Sequence, residues 1–260
     1  MAETAKRHQT VVNPPIPRLL PLQRRVLQTV LLGFGHWITV EHEQRMEDLP
    51  EPAIFVFNHN CSYETLLVAC FLLSRRDGRP ISFVIDWMFS RIPVIGWLFR
   101  QMDPVLVYNK PSTIPWWNRE RDRRPRQSIV AQCLNRLQNG QSIGLYPEGA
   151  RNRDPLQLLR ARKGIGQIVL TSGAPVIPIG IDFPRRTKQG IPHWGPLILR
   201  IGEPLRFTAP ASESEPSGSA TDQRRQTIHR SAVITHQIMV RLAELSGKSY
   251  PFPEPQGAEE

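Results

Sequence analysis

Apolar positions recur along this chain in two rhythms, one helical and one strand-like. Between residues 24 and 40, Val26, Leu27, Val30, Leu31, Phe34, Trp37 and Ile38 return every few places, while Gln28, Thr29, His36 and Thr39 fall elsewhere. That spacing predicts an amphipathic helix over 24–40. With Arg24 and Arg25 at its start and a tryptophan on its apolar stripe, it suits the membrane interface; a core-packing helix fits the same pattern. Ser62–Ser74 keeps the rhythm through Leu66, Leu67, Ala69, Cys70 and Leu73. So does Gln127–Gln138, through Ile129, Val130, Cys133, Leu134 and Leu137, until Asn139-Gly140 stops it. Thr221–Ser246 is a last amphipathic helix, with Ile228, Ala232, Met239, Leu242 and Leu245 on one side and Gly247 at its stop.

Short apolar runs separate the helices: Ala53–Phe57, Ile81–Ile85, Val105–Tyr108, Ile143–Tyr146, Val176–Ile181 and Leu197–Ile201. They read as buried strands. Strands alternating with helices imply an α/β fold, a single domain with a mixed, largely parallel sheet flanked by helices, plus the N-terminal amphipathic helix at the membrane interface. Residues 84–104 are apolar and aromatic, interrupted by Asp86, Arg91 and Arg100, which fits either core or the wall of an apolar pocket. Residues 109–126 read as a long loop with Trp116-Trp117 and six basic against two acidic side chains. The expected divisions are a flexible N-terminus (1–17), a membrane-interface helical segment (18–45), the main domain (46–207), a linker (208–220), a C-terminal helix packing on the domain (221–247) and a flexible tail (248–260).

Composition narrows the picture. The chain has 260 residues, 40% of them hydrophobic, enough for one sizeable core, and 25 prolines disfavour an all-helical bundle. A formal net charge of +10 implies an anionic partner: nucleic acid, acidic lipid or a phosphorylated substrate. Cys61, Cys70 and Cys133 show neither CxxC nor metal-ligand spacing, so a reducing compartment is expected and a disulfide framework is not. No secretory signal is visible, and no run reaches the roughly 18 apolar residues of a spanning helix. The expectation is a protein that is soluble or lies on a membrane without crossing it.

The chemistry gathers at two strand ends. Ala53–Phe57 delivers Asn58-His59 at its C-terminal end, the edge where open α/β sheets bind ligands. A histidine there can take a hydroxyl proton near neutral pH if a carboxylate holds its far nitrogen. Glu64, in the first turn of the next helix, is the nearest candidate; a helix-start glutamate stabilised by the dipole is the plainer reading. Strand Ile143–Tyr146 ends in Pro147-Glu148-Gly149-Ala150-Arg151-Asn152. Gly149 permits a tight backbone, Arg151 can clamp a phosphate with two donors, and Glu148 can hold Arg151 or a substrate hydroxyl. Lys110, after strand Val105–Tyr108, is a point charge suited to phosphate. Arg160, Arg162 and Lys163 fit ligand phosphates or a solvated face, and Gly164-Ile165-Gly166 lacks the dinucleotide pattern. The chain has no GxSxG elbow, HExxH or Walker loop.

Asn58-His59-Asn60-Cys61-Ser62-Tyr63-Glu64, Tyr146-Pro147-Glu148-Gly149-Ala150-Arg151 and Pro175-Val176-Ile177-Pro178 stand in one order with a familiar spacing. They resemble blocks one, three and four of the glycerolipid acyltransferase family, which includes the lysophosphatidic acid and glycerol-3-phosphate acyltransferases. Val107-Tyr108-Asn109-Lys110 falls where block two belongs, and Gly202-Glu203-Pro204-Leu205 resembles the strand end that follows block four. The resemblance implies that His59 deprotonates an acceptor hydroxyl, which attacks the thioester of acyl-CoA or acyl-carrier protein. It implies Glu64 as the orienting acid and Asn58, Lys110, Glu148, Gly149 and Arg151 as the substrate-binding set.

The chain departs from the family pattern in two places. Glu64 stands where block one has aspartate, and Lys110, after Asn109, stands where arginine is usual, so the acceptor can differ from lysophosphatidic acid. The resemblance implies membrane lipids and acyl-CoA or acyl-carrier protein as partners, and no metal or organic cofactor. It places the protein on the cytoplasmic face of a membrane, peripheral or monotopic. Nucleic acid is not an expected partner, because no binding motif accompanies the charge. A catalytically silent lipid-binding homologue and a phospholipid transacylase are the competing readings, and the oligomeric state is left open.

Overall fold

The computed structural model describes residues 19–92, 95–112, 114–123, 127–184, 195–207 and 219–255. The expected N-terminus 1–17 and most of the expected linker lie outside them.

The N-terminal helix is shorter than its periodicity predicts. Helix α1 (Pro21–Phe34) opens on a proline, and the Gln23 side chain accepts the Leu20 N–H at 2.8 Å. It stops at Phe34, and a tight turn at Gly35–Trp37 leads into strand β1 (Ile38–Glu41). β1 pairs in parallel with β7 (Leu197–Ile201). Ile38 and Val40 are β-branched, and the open edge of β7 gives their backbone a ladder that a fifth helical turn would not. Residues 38–41 therefore belong to the sheet and not to a separate helical segment over 18–45. Leu27 and Leu31 of α1 are buried, whereas Leu22, Leu32 and Phe34 are exposed.

The next elements are β2 (Ile54–Phe57), α2 (Ser62–Arg75), β3 (Ile81–Asp86), α3 (Ile95–Gln101), β4 (Val105–Val107), α4 (Pro115–Arg123), α5 (Ile129–Gln138) and β5 (Ser142–Leu145). After β5 come α6 (Gly164–Ser172), β6 (Val176–Asp182), β7 and α7 (Ala220–Ser246). The seven strands lie in the order β1-β7-β6-β2-β5-β3-β4. Every neighbouring pair is parallel except β6–β7, so the sheet is mixed and largely parallel. The expected long loop at 109–126 contains α4: Pro115 opens the helix, and Asn118 exchanges hydrogen bonds with the Ser112 backbone at 2.7 and 2.9 Å.

Two cores sandwich the sheet. Leu27, Leu67, Phe71, Phe83 and Phe99 fill one face beneath α1, α2 and α3. Cys133, Leu137, Ile165, Val169, Met239 and Leu242 fill the other beneath α5, α6 and α7. β2 is buried at all four positions because it lies mid-sheet between both layers. Helix α7 packs closely on its neighbours. A Cβ on Gly166 would stand 1.9 Å from the Ser231 carbonyl oxygen, and one on Gly180 would stand 2.3 Å from the Leu245 backbone. Among the described residues no helix is long and apolar enough to cross a membrane.

The chain beyond α7 was expected to fray from residue 248, but it docks as far as Pro255. Gly247 takes the left-handed conformation and turns the chain back. Ser249 then donates its N–H to the Leu156 carbonyl at 2.8 Å and accepts the Leu158 N–H at 2.9 Å. Tyr250 packs against His236 and Phe252, and the Arg160 guanidinium lies over the Phe252 ring. Prolines over this stretch mark an extended strap, which pairs with a loop instead of fraying.

Candidate active site

β2 has β5 on one side and β6 on the other, all parallel to it, so their C-terminal ends share one edge. His59 follows β2 there, and the 146–152 turn follows β5.

The His59 Nδ1 lies 2.8 Å from Glu64 Oε1. A carboxylate only accepts, so Nδ1 carries the proton and Nε2 keeps a lone pair for a base. The Glu64 side chain is fully buried, and the His59 side chain is 16% exposed, enough to meet a substrate. Three further donors converge on Glu64. The Asn60 N–H reaches Oε1 at 2.6 Å, the Asn60 amide reaches Oε2 at 3.1 Å, and the Cys61 thiol reaches Oε2 at 3.6 Å. Burial and the neighbouring Glu64 charge push the Cys61 thiol far above its ordinary range. The His59 ring packs against Tyr146, centroids 4.3 Å apart, and burial pushes the Tyr146 hydroxyl well up.

The 146–152 turn holds the His59 turn by its backbone. Glu148 Oε1 accepts the His59 N–H at 2.9 Å, while Oε2 accepts the Leu159 N–H at 2.8 Å and the Asn152 amide at 3.0 Å. The Asn152 N–H in turn reaches the His59 carbonyl at 2.7 Å. Burial raises the Glu148 carboxyl above its ordinary range, against the pull of these donors and of the Lys248 ammonium. Glu148 was expected to hold Arg151 or a substrate hydroxyl. It is 2% exposed and holds the polypeptide instead, because two loops turn their N–H groups inward upon it.

Asn58 is corrected in the same way. It is fully buried, its amide donates to the Ile181 carbonyl at 2.9 Å, and its oxygen accepts the Ile181 N–H at 2.7 Å. It pins the His59 turn to β6, and its side chain is out of reach of solvent. Gly149 adopts φ +65°, a left-handed turn that side chains resist, and a Cβ there would meet Arg162 at 3.0 Å. Arg151 is exposed and donates to the Ser62 hydroxyl at 2.7 Å, which sets its guanidinium at the start of α2 beside the His59 turn. Lys110 is exposed and follows β4, with β5 and β3 between β4 and β2, so it stands roughly 14 Å along the sheet edge at ordinary strand spacing.

The fold thus gathers His59, Glu64, Glu148, Gly149 and Arg151, and leaves Lys110 to one side. Asn60, Asn152 and Lys248 were not anticipated. Asn60 lies inside the 58–64 motif, but its grip on Glu64 needs the tight turn. Among the described residues no group of three or more His, Cys, Asp or Glu side chains is placed to hold a metal ion.

The family model described as Acyltransferase matches residues 38–182, more than half of the chain. The chain belongs to this acyltransferase family. It is 30% identical over 169 residues to a chloroplastic 1-acyl-sn-glycerol-3-phosphate acyltransferase of Brassica napus, covering 62% of this chain and 44% of that protein. A chloroplastic 1-acyl-sn-glycerol-3-phosphate acyltransferase of Arabidopsis thaliana is 27% identical over 172 residues, covering 65% and 43%. The chain therefore spans less than half the length of these relatives. The crystal structure of PlsC, the 1-acyl-sn-glycerophosphate acyltransferase of Thermotoga maritima, shares the fold with a TM-score of 0.50 at 18% identity, over 85% of this chain and 80% of that one.

Proposed function

We propose that this protein transfers a fatty acyl group from acyl-CoA or acyl-carrier protein to the free hydroxyl of lysophosphatidic acid or a close analogue. The observation that carries the reading is the 2.8 Å contact between His59 Nδ1 and Glu64. His59 Nε2 takes the hydroxyl proton as the oxygen attacks the thioester carbonyl carbon. The tetrahedral adduct collapses, the carbon–sulfur bond breaks, and the imidazolium returns the proton to the departing thiolate. Glu64 holds the ring in place and steadies the imidazolium. Arg151, beside the His59 turn, holds the acceptor's phosphate with two donors, and Lys110 adds positive charge farther along the same edge. The reaction draws on no metal or organic cofactor beyond the acyl donor.

The reaction takes place at the cytoplasmic face of a membrane, to which the protein binds without spanning it. The exposed Leu22, Leu32 and Phe34 of α1 and the net charge of +10 favour contact with an anionic lipid surface. The test is purified protein with labelled oleoyl-CoA and lysophosphatidic acid in mixed vesicles. Wild type makes phosphatidic acid, and His59→Ala makes none while still sedimenting with the vesicles. Equal inertness of both with every thioester donor, with binding retained, replaces the reading by a silent lipid binder. Turnover only with a diacyl phospholipid as donor replaces it by a transacylase.

A further inference from the structure

Lys248 lies just past the stop of α7, at the far end of the chain from the catalytic motif, yet its ammonium donates to Asn60 Oδ1 at 2.7 Å. It also donates to the Asp154 carbonyl at 2.7 Å, in the loop that carries Arg151 and Arg153. We propose that Lys248 is a positioning residue for the His59–Glu64 pair and acts through Asn60. This rests on the acyl-transfer reading above.

The argument turns on the two ends of one amide. Asn60 is 2% exposed, and its side chain faces a carboxylate on one side and an ammonium on the other. An ammonium only donates and a carboxylate only accepts. Lys248 therefore fixes the oxygen of the Asn60 amide toward itself, and the NH2 group toward Glu64 Oε2. Take the ammonium away and the amide oxygen loses its donor; the Glu64 carboxylate and the Ile181 carbonyl, 3.4 Å from the amide nitrogen, still call for the NH2 group, but the amide is free to rock between them. As the amide swings toward Ile181, Glu64 loses the hydrogen bond that steadies Oε2 and, through it, the aim of Oε1 at His59. The second contact, to Asp154, ties the same ammonium to the Arg151 loop, so one side chain spans both halves of the site.

The backbone around Lys248 is built to deliver it. Gly247 sits at φ +65° and ends α7, and Ser249 pairs with Leu156 and Leu158 on the opposite side of the lysine. The Lys248 N–H itself caps the helix on the Ala243 carbonyl at 3.0 Å. A residue held on both flanks has little freedom to withdraw its side chain.

The experiment uses the full chain with Lys248→Met, Lys248→Arg and Lys248→Cys. A displaced imidazole of about 1 Å costs on the order of a hundredfold, and a contact one residue further out costs less. The expected loss in Lys248→Met is on the order of tenfold in kcat, with the KM values for oleoyl-CoA and lysophosphatidic acid unchanged. Lys248→Arg recovers part of it. Alkylating Lys248→Cys with 2-bromoethylamine rebuilds an ammonium on a side chain of nearly the same length and restores kcat; the native thiols are buried, and wild type treated alike is unaffected. Because restoration follows on an already folded chain, it separates positioning from folding.

A second readout needs no turnover. The downfield proton NMR signal of His59 Nδ1–H, assigned by its absence in His59→Ala, exchanges faster with water in Lys248→Met and returns in the alkylated variant. Wild-type inertness toward lipid with this NMR pattern intact sinks the acyl-transfer reading and keeps the positioning role. Wild-type kcat and an unchanged His59 proton in Lys248→Met overturn the positioning role itself.

Discussion

Asn60 grips Glu64 twice, its backbone N–H on one carboxylate oxygen at 2.6 Å and its side-chain amide on the other at 3.1 Å. This grip fixes the carboxylate of a glutamate, which has one methylene more than an aspartate. The extra methylene would let the carboxylate swing. Two anchored oxygens remove that freedom and hold one of them at the imidazole.

Glu64→Asp should therefore keep activity within about a hundredfold of wild type, since the shorter acid retreats by roughly 1 Å. Glu64→Ala should lose more, because it strands Asn60 and frees the imidazole. Steady-state kinetics decide the matter. Equal kcat in wild type and Glu64→Ala would remove Glu64 from the mechanism.

Glu148→Ala should destabilise the fold by about 3 kcal/mol, since two backbone N–H groups and the Asn152 amide lose a charged, buried acceptor together. Glu148→Gln should cost less, because one oxygen survives. Urea denaturation gives the first number. An Ala variant that unfolds like wild type but turns over nothing would restore Glu148 to direct substrate contact.

Gly166→Ala should be more damaging than any other small-to-small change on α6. The added methyl would overlap the Ser231 carbonyl oxygen, and backbone has no rotamer by which to escape. A loss of about 3 kcal/mol is expected, with a matching fall in turnover, since α7 carries Lys248 to the site. A melting temperature equal to that of wild type would mean that α7 seats elsewhere in solution.

Burial pushes the Cys70 and Cys133 thiols up to about 12 from an ordinary 9.0. Both raised values belong to the folded state. Below pH 9 the protonated thiols cost nothing; between pH 9 and 12 the unfolded chain releases protons that the folded chain retains, so stability falls as pH rises. Native protein at pH 8 should leave both thiols unalkylated by iodoacetamide until it unfolds. A melting temperature that declines from pH 9 upward, and less so in Cys70→Ala/Cys133→Ala, completes the test. Rapid labelling of the native protein would contradict the burial.

The sheet was legible because its strands are short, mostly apolar runs, and every one from Ala53 onward lies within a residue of where the pattern put it. β1 was not: Trp37 and Ile38 continue a helical period by chance, and only the open edge of β7 draws Ile38–Glu41 into a ladder. The strap was not either, because a proline-rich tail reads alike whether it frays or pairs with a distant loop. The sequence by itself determined that His59, Glu64 and the Pro147–Arg151 turn come together, since residues that meet across a turn, or at the ends of adjacent parallel strands, lie in motifs. Only the tertiary structure decided what Asn58, Asn60, Glu148 and Lys248 do. Their partners lie across the fold or reach backbone atoms that every residue shares. Hydrogen bonds to such groups carry no mark in the order of side chains.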